Sequence, residues 1–407
     1  LYYYLHSIGD VLFPLEQWII EKRREFHRYP ELSFNEYITQ KKIIDSLKEF
    51  GVEGSSIAGT GVIAEIFGNG PGPCIAIRAD IDALPIQEEE TNYNSSYISC
   101  NKGVMHACGH DGHMAIVLGV ARFLYEKRHE FPGKVRFIFQ PAEEQYPGGA
   151  QMVIENGGLE GVDAIVGLHI FGDIDIGKIL FCSGPFMASS NDFRIKIKGK
   201  GGHVSTPDYC INPISMAADL IYRAEKEVRQ QIDPSKYVFG FGMISGGTRF
   251  NIIPDEVEVC GSFRTFNEKD TKTIEKILDK LLTSIIKEYS VEGLIVVPSY
   301  ELNVLHGYPV LVNDSNFTAA ASRLLRQKYA DVDDTASPVF GSEDFAYYLK
   351  YVPGMFFFIG TRNLDKGIKE NNHSSSFDID ETVLIKGVEI LSYIALDFLK
   401  KPEVYVQ

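Results

Sequence analysis

The chain has 407 residues, 44% hydrophobic and 23% charged, which describes an ordered globular protein too long for one ordinary core; two domains, or one carrying an insertion, are expected. A formal net charge of −15 argues against nucleic acid or an anionic membrane as partner, because phosphate binding needs clustered Lys and Arg. No apolar run reaches membrane-spanning length, and the opening LYYYLHSIGD has neither the basic n-region nor the small-residue cleavage site of a signal peptide.

Leu15 to Arg28 has the spacing of an amphipathic helix stopped by Pro30, and the mixed run EKRREFHR (Glu21 to Arg28) reads as its solvated face. A second helix is predicted from Glu36 to Phe50, with Gly51 suited to a left-handed C-cap. Strands follow at GVIAEIFG (from Gly61), CIAIRAD (from Cys74), VRFIFQ (from Val135), AIVGLHI (from Ala164) and MFFFIG (from Met355), with helical patterns such as HMAIVLGVARFLYEK (from His113) between them. Alternation of this kind predicts an α/β domain with a mostly parallel central sheet and helices on both faces.

From about Phe193 the order changes to strand FRIKIKG, helix INPISMAADLIYRAEKEVRQQ, strands YVFGFGMIS and EVEVCGSFRTF, helix TKTIEKILDKLLTSIIKEY and strand LIVVPSY. This β-α-β-β-α-β series predicts an inserted ferredoxin-like α+β domain. The expected division is therefore a discontinuous domain of residues 1–188 and 301–407 with an insertion over 189–300, the boundary falling near Gly184 to Asn191. A last helix is expected from Glu381.

The polar residues that could carry chemistry follow the predicted strands, where open α/β sheets bind ligands. MHACGHDGH, Met105 to His113, gathers Cys108 and His110 around one glycine, and a loop of that spacing can wrap a thiolate and an imidazole around one metal ion. Asp111 and Gly112 read as the N-cap region of the following helix. QPAEE, Gln140 to Glu144, sets two carboxylates side by side after a strand, so one can hold metal while its neighbour moves a proton. His169 ends a strand, and His373 sits in the polar loop NNHSSSFDID. Taken singly, each histidine reads as a satisfied core or surface residue. Together Cys108, His110, Glu144, His169 and His373 are donors enough for two metals sharing a bridging group.

MHACGHDGH, QPAEE, the strand-end Leu168-His169, GGHVSTP, NIIP and His373, in that order and preceded by FHRYPELSF (Phe26 to Phe34), resemble the amidohydrolase branch of the binuclear-metal aminoacylase and carboxypeptidase family. That branch includes hippurate hydrolases, N-acetyldiaminopimelate deacetylases and hydrolases of auxin–amino acid conjugates. The resemblance implies that two divalent cations, Mn²⁺ or Zn²⁺, are held by Cys108, His110, Glu144, His169 and His373. It implies that Glu143 is the general base and later the acid that protonates the leaving nitrogen. His203 resembles the histidine that a partner subunit supplies to polarise the scissile carbonyl, and Asn251 and Arg264 resemble residues that hold the substrate carboxylate. A homodimer or tetramer built through the inserted domain, acting on a small N-acylated amino acid or similar conjugate, follows.

The peptidase branches carry His-x-Asp where this chain has Arg78-Ala-Asp80, so Asp80 is expected to orient a ligand rather than bind metal, with Asp111 and His113 acting likewise or, for Asp111, capping the helix. GSEDF, Gly341 to Phe345, is adequately explained by helix capping. Six cysteines without paired spacing (Cys74, Cys100, Cys108, Cys182, Cys210 and Cys260) read as reduced thiols, which makes the cytoplasm the expected location. Two competing readings stay open: a dipeptidase or aminopeptidase of the same family, and a non-catalytic protein with a structural metal site. The second leaves Glu143 without a purpose, since a closed structural site needs no base.

Overall fold

Every residue of Cys74–Asp80 is buried in the computed structural model of the protein, which describes residues 8–290 and 295–406, with only the backbone over 8–13. A strand lying between two neighbours, with both of its faces covered, requires such an uninterrupted run. Contacts divide the chain into two compact units: Leu1–Gly184 with Val312–Ser337 and Asp344–Gln407, and Pro185–Leu311 with Pro338–Glu343.

The first unit begins with helices α1 (Ile8–Arg28) and α2 (Tyr37–Lys48) and strands β1 (Gly54–Ile57), β2 (Gly61–Phe67) and β3 (Cys74–Asp80). Helix α3 (His110–Glu126), β4 (Lys134–Gln140), α4 (Gly149–Glu155), β5 (Ala164–Asp175) and β6 (Ile179–Leu180) follow. The chain then runs through β7 (Gly184–Met187), β8 (Ser189–Lys198), β9 (Gly202–His203), α5 (Pro213–Gln231), β10 (Tyr237–Gly246), β11 (Ile252–Ile253), β12 (Glu256–Thr265), α6 (Glu268–Glu288) and β13 (Ser299–His306). It ends with β14 (Leu311–Asn313), α7 (Ser315–Arg326), β15 (Val332–Asp333), β16 (Gly354–Arg362) and α8 (Thr382–Lys400).

Eight strands of the first unit form one sheet in the order β1-β2-β4-β3-β5-β16-β6-β15. Its centre, β4-β3-β5-β16, is parallel, while β1 and β2 on one side and β6 on the other join antiparallel. Helix α3 is buried without interruption from His110 to Ala121, so it has no wet face along its first three turns. Glycines let its neighbours close in: a Cβ on Gly119 would meet Val388 of α8 at 2.7 Å and Ile19 of α1 at 2.8 Å. The run EKRREFHR, expected as a solvated face, is corrected here. Arg23 and His27 are both 0% exposed, because Leu15, Ile19, Arg23 and Phe26 share the stripe that α1 turns inward.

In the second unit the sheet order is β10-β12-β8-β13, antiparallel throughout, with α5 and α6 packed on it. Along β8 Phe193, Ile195 and Ile197 enter the core while Arg194, Lys196 and Lys198 alternate outward. Each such aliphatic or aromatic side chain contributes about 1.5–3 kcal/mol when fully buried. Asn212 and Asn267 cap α5 and α6 by accepting from the backbone N–H of Ile214 and Asp270. The expected end of the insertion at residue 300 is also corrected. Strand β13 begins at Ser299 and pairs with β8 as far as His306, which carries the unit to Leu311. Of the predicted strand LIVVPSY, Leu294 lies outside the described residues, as do residues 1–7 of the opening segment.

Candidate metal centre

The loop before α3 turns at Gly109, whose φ of +88° lies in the left-handed region that glycine adopts without cost. Gly109 is therefore the N-cap and the helix starts at His110, which corrects the expectation that Asp111 and Gly112 form the cap region. Beyond this turn, Cys108 Sγ lies 3.3 Å from His169 Nε2 and 3.3 Å from His373 Nε2; His169, expected to end a strand, stands in the middle of β5. Glu144 Oε1 lies 3.4 Å from His373 Nε2 and 3.9 Å from His110 Nε2. Cys108, His110 and His169 form one group of potential ligands; Cys108, Glu144 and His373 form a second, and His110, Glu143 and Glu144 a third. Cys108 belongs to both of the first two, as a bridging donor must. His106 enters none of the groups among the described residues.

Backbone contacts aim these side chains. His110 Nδ1 donates to the Asp82 carbonyl at 2.9 Å and His169 Nδ1 to the Ile170 carbonyl at 2.8 Å, which leaves both Nε2 lone pairs directed at the cluster. The carboxylate of Asp82 accepts from Ser33 Oγ and from the Glu144 N–H, so it fixes the loop that carries Glu143 and Glu144. Ala142 and His373 have φ values of +52° and +70°, a conformation that costs an L-residue about 1–2 kcal/mol. Both are pinned: the Ala142 N–H donates to Glu36 Oε1 at 2.8 Å and the His373 N–H to the Ala107 carbonyl at 2.7 Å. Asn372 bridges the Cys108 and Ile170 carbonyls.

The electrostatics fit divalent cations. His110 Nε2 and Glu144 Oε1 are buried without a hydrogen-bond partner, a costly state for polar atoms unless something else binds them. Burial disfavours a charged His110, yet Asp80, Asp82 and Glu144 outweigh it and raise its pKa to about 10, so this environment calls for positive charge. Burial, with His113 nearby, pushes His169 well below its ordinary value and keeps it a neutral donor. Burial and the neighbouring Glu144, Glu143 and Asp80 hold the Cys108 thiol well above its ordinary range, so a thiolate there requires a cation beside it. Thiolate, imidazole and carboxylate together make a donor set for divalent cations.

Of the expected supporting residues, Asp80 Oδ1 accepts from His113 Nδ1 at 2.6 Å, and His113 Nε2 accepts from the Ile170 N–H at 2.9 Å. Both nitrogens of His113 are thereby occupied. Asp111 does not cap α3; its Oδ2 receives Arg23 Nε and His27 Nδ1, each at 2.7 Å. Arg23 also reaches Asp378, and His27 reaches Glu88, two contacts that sequence reasoning did not anticipate. Capping does not account for GSEDF either, since Asp344 is buried and accepts from Arg78, Gln140 and the Ala150 N–H.

His203, Asn251 and Arg264 belong to the second unit. The pairing of β9 with β11 sets Ile252 opposite His203, which brings Asn251 Nδ2 to 3.3 Å from His203 Nε2, while Ser205 Oγ lies 2.7 Å from Nδ1. Arg264 Nη1 donates to the Phe340 carbonyl and to Ser342 Oγ.

A buried cluster with two overlapping ligand groups, beside a pair of carboxylates at a strand end, defines a metallohydrolase centre. The sequence pattern of peptidase family M20/M25/M40 matches residues 76–397, and the chain belongs to that family. It is 38% identical over 391 residues to thermostable carboxypeptidase 2 of Saccharolobus solfataricus, covering 95% of this chain and 97% of that protein. It is 39% identical over 377 residues to N-acetyl-L-cysteine deacetylase of Bacillus subtilis, covering 92% and 86%. A solved Bacillus subtilis structure described as a dinuclear metal binding peptidase from the M20 family superposes with a TM-score of 0.82 at 37% identity, covering 95% of this chain and 99% of that one. The chain is accordingly a hydrolase of amide bonds whose centre takes two divalent metal ions. Among the described residues no helix is long and apolar enough to cross a membrane.

Proposed function

We propose that the protein removes the acyl group from N-acyl amino acids or related conjugates. The observation that carries this reading is Cys108 Sγ standing 3.3 Å from both His169 and His373. A thiolate shared in this way matches the amidohydrolase branch, and a relative carries the name N-acetyl-L-cysteine deacetylase. Cys108, His110 and His169 would hold one cation and Cys108, Glu144 and His373 the other; manganese is the favoured metal and zinc the alternative. When bound, such ions supply Lewis acidity, which polarises an amide carbonyl and makes water acidic enough to deprotonate near neutral pH.

Glu143 would take a proton from the attacking water and pass it to the leaving nitrogen, a transfer its neighbour Glu144 could not make while serving as a ligand. His203 of a partner subunit donates a hydrogen bond to the carbonyl oxygen as charge develops there. Asn251 and Arg264 hold the substrate carboxylate, for which a guanidinium offers a matching fork of donors. The protein then works as a homodimer or tetramer joined through the second unit. Its six cysteines, none of them in a disulfide, support a reducing cytoplasmic location.

The direct test is a screen of N-acetyl and N-benzoyl amino acids beside free dipeptides, with metal content measured on the same sample. Release of the free amino acid from acylated substrates is expected; cleavage confined to substrates with a free α-amine would assign the chain to the aminopeptidase or dipeptidase reading.

A further inference from the structure

We propose that Arg78 sets the ligand choice of the centre: by holding Asp80 it keeps that carboxylate out of coordination and leaves Cys108 as the shared donor. The inference rests on reading Cys108, His110, Glu144, His169 and His373 as ligands.

Asp80 has the position and the chemistry of a ligand. Its Oδ2 lies 3.7 Å from His110 Nε2, no farther than the 3.9 Å that separates the same nitrogen from Glu144 Oε1. The carboxylate is completely buried, and together Asp80, His110 and His113 place their donor atoms close enough to hold an ion. Yet both oxygens are engaged. Oδ1 accepts from His113 Nδ1 at 2.6 Å and Oδ2 from Arg78 Nη1 at 2.7 Å. His113 cannot release its side, because its Nε2 is held by the Ile170 N–H.

Arg78 cannot turn away either. Its Nε donates to Gln140 Oε1 at 2.9 Å and its Nη2 to Asp344 Oδ1 at 2.8 Å. Asp344 is anchored through Oδ2 by Gln140 Nε2 and the Ala150 N–H, and Tyr348 donates to Gln140 Oε1. A planar guanidinium can meet Asp80, Gln140 and Asp344 at once in fixed directions, whereas an ammonium on a flexible stem presents no such fork. Asp80 thus contributes negative potential beside the ligands without giving an oxygen to a metal. Released, it would add a hard oxygen to the donors available to a metal.

The test uses the full-length protein reconstituted with Co²⁺ and read by metal content and visible absorption. The wild type should bind two Co²⁺ per chain and show thiolate-to-cobalt charge transfer; its absence would refute the ligand reading itself, independently of Arg78. Arg78→Met should keep the charge-transfer band but lose about twofold or more of the visible ligand-field intensity, as an added oxygen raises the coordination number. Arg78→Met/Asp80→Asn should regain it. A folded Arg78→Met protein with the wild-type spectrum, or a change that survives in the double variant, overturns the proposal. Asp80→Asn alone is uncharged and isosteric, so it reports even where Arg78→Met fails to fold. It should retain both Co²⁺ ions at wild-type intensity, and loss of one ion would show that Asp80 is a ligand and end the proposal.

Discussion

Arg23 Nε lies 2.7 Å from Asp111 Oδ2, and neither side chain is exposed to solvent. The guanidinium also reaches Asp378 at 2.8 Å, so a single residue of α1 neutralises carboxylates from both the first turn of α3 and the segment before α8. Removing one partner of a buried pair leaves the other charge uncompensated, at a cost of about 3–5 kcal/mol, whereas replacing both by apolar groups costs far less. Arg23→Met should therefore lower the denaturation midpoint strongly and Arg23→Met/Asp111→Leu less so. Equal losses in the two variants would show that the pair does not act as a unit.

His27 gives a pH dependence of stability. Burial and Arg23 depress its protonation, but Asp111 and Glu88 prevail and raise its pKa to about 9, above the ordinary value of 6.5. A raised folded-state pKa stabilises fully below the unfolded value and loses that contribution as pH climbs through the folded one. The wild type's advantage in melting temperature over His27→Gln should shrink from pH 6.5 to beyond pH 9. An advantage that grows over this range would invert the sign and refute the assignment.

Glu143→Gln should keep two metal ions per chain yet lose amide hydrolysis by about 10²–10⁴-fold or more, the usual worth of a general base. Full activity on N-acetyl and N-benzoyl amino acids would falsify the proton-transfer role.

Removal of divalent ions with a chelator should abolish activity and readdition should restore it. Cys108→Ser should bind fewer than two ions after dialysis, because a serine hydroxyl does not ionise as a thiol does. Elemental analysis of the dialysed variant decides this; a full complement of metal would remove Cys108 from the ligand set.

His203→Ala homodimers should be inactive, and mixing them with Glu143→Gln subunits should recover part of the activity by pairing intact halves. Absence of recovery after subunit exchange has been demonstrated by mass spectrometry would count against a histidine acting across the interface.

The strands of the central sheet were legible because residues 74–77 and 355–359 are continuous apolar runs, and the candidate ligands because Cys108, His110, Glu144, His169 and His373 are chemically conspicuous residue types. Arg23 and His27 were not, since in EKRREFHR they stand among residues that do face water; only the register of Leu15, Ile19 and Phe26 marks Arg23 as inward. Asp82 and Asn372 escaped notice for a different reason. Asp82 steers His110 through its backbone carbonyl and Asn372 grips the carbonyls of Cys108 and Ile170, contacts that depend on tertiary approach and leave no trace in residue spacing. Asp344 looked like a helix cap because its partner Arg78 is remote in sequence.

The uninterrupted burial of α3 bears on how the protein is made. Its walls include Ile19 of α1 on one side and Val388 of α8 on the other, and His373 is the last donor to be synthesised. A nascent chain that has emerged only through β5 carries Cys108, His110, Glu144 and His169 but lacks both His373 and the helix that packs Val388 against α3. The proposed ligand set is therefore complete only once the chain has been made through His373, and a fragment that stops short of that residue cannot assemble it.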